Sequence, residues 1–94
     1  MTSKIYIIGI EIRENGSRNE LEDVFSQLGE WIVIMPNLYA LYSSKIDNLE
    51  KTRDEICDKI NNDLRIYIIE QMSAAWRISK ESSDWLKNKI GQHE

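Results

Sequence analysis

Apolar residues recur along this chain at two spacings, and each change of spacing marks a new element. From Ile5 to Ile12 the run IYIIGIEI is β-branched and apolar, which reads as a strand. Its alternation sends Tyr6, Ile8, Ile10 and Ile12 to one face and Ile5, Ile7, Gly9 and Glu11 to the other. A strand apolar on both faces belongs inside a sheet or under a second layer. Asn15-Gly16 ends it as a turn. Ser17 and Glu20 then have the spacing of a capping box. Leu21, Val24, Phe25 and Leu28 follow at i, i+3, i+4 and i+7, the stripe of an amphipathic helix, with Gly29 as its C-terminal cap.

Trp31 to Met35 and Leu38 to Ser43 read as two strands, joined by a tight turn at Pro36-Asn37. Asp47 and Glu50 form a second possible capping box. Ile46, Leu49, Arg53, Ile56, Cys57 and Ile60 keep helical spacing, with Arg53 as the polar exception and Asn61-Asn62 as the stop. Leu64 to Glu70 is a fourth β-branched and aromatic strand. The segment 71-QMSAAWRISKE-81 leads to a serine-capped helix over 82-SSDWLKNKI-90.

The order is therefore β-α-β-β-α-β-α, an α+β chain. Right-handed crossovers around the central hairpin give a four-stranded antiparallel sheet, the ferredoxin-like plait, with an extra C-terminal helix. Residues 1–94 are expected to form one domain, with a core over about 4–70 and an appendage over 71–94. Both main helices cover one sheet face. The face with Ile5, Ile7 and Gly9 would then be bare, too apolar to stay in water. A second copy of the chain is the expected cover, because a two-fold axis buries a patch against itself. The C-terminal segment with Trp76 and Trp85 is the other candidate.

Composition changes this picture at the margins. With 41% hydrophobic and 30% charged residues the chain has the makeup of a soluble globular domain. No apolar run approaches the ~20 residues that cross a bilayer. Glu11 and Arg13 cut the N-terminal apolar stretch short of a signal peptide. A single cysteine, Cys57, excludes an internal disulfide and suits a cytoplasmic location. The only histidine is His93, so a Cys/His zinc site and a Ser/His/Asp triad are out. A net charge of −4 weighs against a groove binder of nucleic acid, which needs excess Lys and Arg.

Candidate chemistry is sparse. Glu11, facing a dimer axis, would meet its own copy, and two carboxylates there could share a proton or hold a magnesium ion. Such an ion could activate water for phosphodiester cleavage, so Glu11 is the candidate catalytic and metal-binding residue. The plainer reading makes it a solvated strand end paired with Arg13 or a lysine. Glu20, Glu22 and Asp23 complement a helix dipole, while Asp54, Glu55 and Asp58 interleave with bases as a solvated face. Arg77, Lys80, Lys87 and Lys89 are the one basic concentration that could touch phosphate, diluted by Glu81 and Asp84. Trp31, Tyr39, Tyr42 and Tyr67 lack the basic, glycine-containing signature of base-stacking plaits, so packing or dimer contact is expected of them. Cys57 lies on an apolar stripe and reads as packing.

The carboxylate closing the first strand, the NG turn, and the hairpin around Trp31 and 37-NLYALYSS-44 resemble a group of small bacterial and phage ferredoxin-like proteins, the SinR-like proteins. The stretch 74-AAWRISKESSDWLKNKI-90 is similar to their C-terminal end. They are related to the virulence-associated protein D toxins and to the small ferredoxin-like subunit of the CRISPR adaptation complex. The likeness spans nearly the whole chain. It implies a homodimer from a mobile-element, defence or toxin–antitoxin setting. In the nuclease members an aspartate ends the first strand and binds magnesium at the dimer interface. Glu11 matches that position with a longer side chain, which moves the carboxylate by roughly an ångström or more.

Three functions follow as expectations. The first is a dimeric interaction module without catalysis, with Ile5, Ile7 and Gly9 in its seam. The second is a magnesium-dependent endoribonuclease acting on RNA through Glu11. The third is an acidic inhibitor or antitoxin that binds a nucleic-acid enzyme as its protein partner.

Overall fold

Seven elements run in order along the described residues of the computed structural model, which are 3–12, 17–60 and 64–92. They are β1 (Lys4–Ile12), α1 (Ser17–Leu28), β2 (Glu30–Met35), β3 (Leu38–Ser43), α2 (Leu49–Ile60), β4 (Leu64–Glu70) and α3 (Lys80–Gln92). The sheet has the strand order β2-β3-β1-β4, and every neighbouring pair is antiparallel. This is an α+β fold consistent with the ferredoxin-like plait carrying a C-terminal helix. The expected turns at Asn15-Gly16 and Asn61-Asn62, with Arg13 and His93, lie outside the described residues.

The alternation along β1 divides the interior in two. Tyr6, Ile8 and Ile10 face α1 and α2, where they pack with Leu21, Phe25 and Ile56. Ile5 faces the other way and packs with Ala40 of β3 and Leu86 of α3. Trp76 and Trp85 press on the same cluster, so the C-terminal segment covers part of the outer sheet face. Burying such side chains on both faces is what holds a sheet of this size.

Local signals decide the element ends, with some shifts. The Gly29 amide donates to the Phe25 carbonyl at 3.0 Å. A Cβ there would come within 2.1 Å of the Tyr42 carbonyl oxygen, so only glycine lets α1 turn so close to β3. Helix α2 is capped by Asn48, whose side-chain oxygen accepts from the Lys51 amide at 3.0 Å, and not by Asp47. Thr52, not Arg53, is the polar residue on its buried side, because the shorter side chain fits under the sheet. Helix α3 starts before the expected Ser82. The Ser79 hydroxyl caps it by accepting from the Ser82 amide at 3.2 Å. Ser82 is buried instead, and its hydroxyl donates to the Val33 carbonyl at 3.3 Å, tying α3 to β2.

None of the described helices is long and apolar enough to cross a membrane.

Candidate functional site

Helix α3 lies over β2 and β3, and its cluster takes in Ile5 and part of Ile7 on β1, while Tyr67 and Ile69 leave the β1–β4 corner of the outer face open. Register places three cross-strand pairs on that corner: Ile7 with Ile69, Gly9 with Tyr67 and Glu11 with Arg65. Tyr67 is 71% exposed and Ile69 is exposed beside it. Where β4 leaves the sheet, Met72 is 84% exposed. A groove of about 440 Å³ runs between the open corner and α3, lined by Ile5, Met72, Ala74, Trp76 and Ile90.

Gly9 is unusual within this corner. It sits mid-strand, in regular register with both β3 and β4. A Cβ there would make only ordinary contact, 3.7 Å from the Leu38 Cδ1. Among the described residues nothing therefore demands glycine, although strand glycines cost stability and often mark a close approach by another molecule. The result is a hollow between Leu38 and the standing ring of Tyr67.

Glu11 lies one residue before the end of β1, with Arg65 Nε 3.6 Å from its carboxylate. Both side chains are exposed, and such a pair contributes little stability. The guanidinium beside Glu11 also disfavours a cation there. Among the described residues no three His, Cys, Asp or Glu side chains gather as metal ligands. The described residues around Glu11 within one chain therefore supply no ligand set for a magnesium ion.

The structure redistributes the other expected site residues. Ile5 is only 3% exposed beneath Leu86, so it cannot serve a seam with a second copy as expected. Ile7 and Gly9 remain partly open. Lys89 leaves the expected basic patch, because it is 7% exposed and its Nζ donates to Glu30 at 2.7 Å. Its ammonium also stands over the rings of Tyr42 and Trp85, at 5.3 and 5.6 Å from their centroids. A cation so enclosed reaches no phosphate; it clasps α3 to β2. Arg77, Lys80 and Lys87 are exposed, with Lys80 paired to Asp84 at 3.3 Å.

Tyr39 anchors a polar network that the sequence pattern did not reveal. Its hydroxyl donates to Glu22 at 2.8 Å and accepts from Arg18 at 2.8 Å. Arg18 also donates to the Asn37 side chain, in a turn where Asn37 takes a φ of 64°. Burial, followed by the bond to Glu22, pushes the Tyr39 hydroxyl above its ordinary pKa of 10.0. The i, i+4 spacing of Arg18 and Glu22 was visible, but the tyrosine joining them comes from another strand. The Tyr39 ring meets Phe25 edge-on at 5.1 Å, so this group fastens the β2–β3 turn to α1. Burial likewise raises the Cys57 thiol above its ordinary pKa, which favours its protonated form.

No family model matches the chain, and no curated protein matches it. Among solved structures it is similar to the crystal structure of a hypothetical protein, TT1823, from Thermus thermophilus. That match has a TM-score of 0.55 and 16% identity, and covers 82% of this chain and 95% of the other. At such identity the likeness carries the fold alone.

Proposed function

We propose that the chain is a homodimeric interaction module, working by binding and not by catalysis, with the open β1–β4 corner as its seam. The observation that carries this reading is that every row of the corner pairs groups that fit each other: acid with base, hollow with ring, isoleucine with isoleucine. Consider a two-fold axis lying between two facing sheets, along the strands and midway between β1 and β4. It sets β4 of each copy over β1 of the other, as aligned sheets pack. The second copy's Tyr67 then meets Gly9, its Ile69 meets Ile7, and its Arg65 meets Glu11. Every row matches, and the same contacts repeat in reverse.

This arrangement separates the module from a magnesium-dependent endoribonuclease, which needs carboxylates drawn together. Here each Glu11 faces a guanidinium of the other copy, an attraction that fixes register. A mobile-element, defence or toxin–antitoxin setting is the part of the proposal that rests on the resemblance to SinR-like proteins.

Charge reversal tests the seam in solution. Glu11→Lys sets like charges against Arg65 of the second copy, and Arg65→Glu does so against Glu11. Each variant alone is expected to dimerise at least about tenfold more weakly than the unaltered chain. Their equimolar mixture should recover a heterodimer, seen by native mass spectrometry and sedimentation. An unaltered chain that stays monomeric at high concentration, or a mixture with no gain, sinks the seam. RNA cleavage that requires magnesium and vanishes in Glu11→Ala would favour the nuclease instead.

A further inference from the structure

We infer that the free edge of β4 takes up an extended segment of a partner protein as a fifth strand. The edge follows from register. The Gln71 amide donates to the Ile5 carbonyl at 2.8 Å, which makes Ile5 and Gln71 a bonded pair. Bonded pairs alternate in an antiparallel ladder, so Tyr67, Ile69 and Gln71 turn their backbone groups toward β1. The amides and carbonyls of Ile66, Ile68 and Glu70 consequently point away from the sheet. Among the described residues they have no strand beside them, and form a row ready to template another strand.

The two edges of the sheet differ sharply in their protection. At β2 the register breaks between Val33 and Met35, and Pro36 follows at once. Ser82 already occupies the Val33 carbonyl, and Lys89 holds Glu30. The seven residues of β4 contain no proline or glycine and keep unbroken register with β1. Nor is there a lysine in β4, the residue that most often guards an edge.

A groove of about 240 Å³ runs along this edge, with Leu49, Glu50 and Arg53 of α2 as its wall and Ile66, Tyr67 and Ile68 as its floor. A strand laid there would bury apolar side chains against Leu49 on one face and beside Tyr67 on the other. Its charge order follows from the strand that β4 already accepts. On the paired side, Lys4 of β1 lies 3.3 Å from Glu70, and Glu11 lies 3.6 Å from Arg65. An antiparallel segment on the open side meets the same two ends. The partner segment is therefore apolar at alternate positions, basic where it begins beside Glu70, and acidic where it ends beside Arg65. Strand addition of this kind draws affinity from the backbone and selectivity from the side chains.

Amide hydrogen exchange on the full chain tests this directly. The probe is a capped synthetic peptide with the sequence of residues 4–11, KIYIIGIE, against a scrambled peptide of equal composition. Without peptide, the amides of Ile66, Ile68 and Glu70 should exchange at least about tenfold faster than those of Tyr67, Ile69 and Gln71. Adding the probe should slow the first set and leave the second unchanged. Glu70→Pro removes one outward donor, and the ion pair to Lys4 with it, without touching the backbone bonds to β1, and should weaken the peptide by roughly two- to tenfold. Outward amides already slow in the free chain would overturn the inference, and slowing that grows with protein concentration would identify a second copy as the occupant. Equal slowing by the scrambled peptide, or none by either, would overturn it too. These amides report whatever the oligomeric state, so a monomeric chain would remove the proposed seam and leave strand addition standing.

Discussion

Around Ile5, Ala40 and Tyr42 the outer face of the sheet is covered, with Leu86 pressed into it and Lys89 bridging to Glu30. Four residues along the same strand, Gly9 lies beside a tyrosine ring that stands in solvent. The two regions share strands, register and apolar character, and differ in what covers them. One carries its own helix, fixed by a serine and a lysine that reach β2. The other offers a hollow, a ring and an ion pair to whatever arrives. Covered surface contributes to folding, while uncovered surface is available to binding.

Truncation in each region should separate these roles. Leu86→Ala empties a fully enclosed position and should lower stability by about 2–4 kcal/mol in chemical denaturation. Tyr67→Ala, on the open side, should change it by less than about 0.5 kcal/mol, because its ring is largely in water. Comparable losses from the two would erase the distinction between the regions.

The clasp at the boundary is expected to matter less. Lys89→Ala removes the buried stem, the bond to Glu30 and the contacts over two rings, a loss of about 1–2 kcal/mol. Lys89→Met keeps the stem and should recover part of that loss, since Glu30 remains in solvent to hydrate itself. If Lys89→Met is no better than Lys89→Ala, the charge and not the packing holds α3 down. Thermal melts of the pair decide it.

The smallest effect has the opposite sign. Gly9→Ala meets no crowding inside the chain and should stabilise the fold by roughly 0.5 kcal/mol through the restricted unfolded chain. The same methyl enters the hollow proposed for the second copy's Tyr67, so dimerisation should weaken while folding improves. A variant that loses stability would mean that Gly9 serves the chain and not a partner.

Much of the fold was legible in the order of the residues. β1 needed only its alternation to divide Tyr6 and Ile8 from Ile5 and Ile7, and α1 needed only the stripe from Leu21 to Leu28. The candidate site was legible in part. Glu11 and Gly9 could be placed on one face, but Arg65 and Tyr67 could not be set beside them without knowing that β4 pairs with β1. Lys89 misled for a related reason. In a sequence it looks like one more base near Lys87, and its burial depends on Glu30, far away along the chain.

Sequence by itself determined the period of each element, the two faces of β1 and the glycine that ends α1. These are local properties, set by neighbours within a few residues. Tertiary structure decided which half of the outer face α3 covers, which carboxylate meets which guanidinium, and which edge of the sheet stays open. Those outcomes depend on residues brought together from opposite ends of the chain, where packing and charge choose among arrangements that local pattern leaves equal.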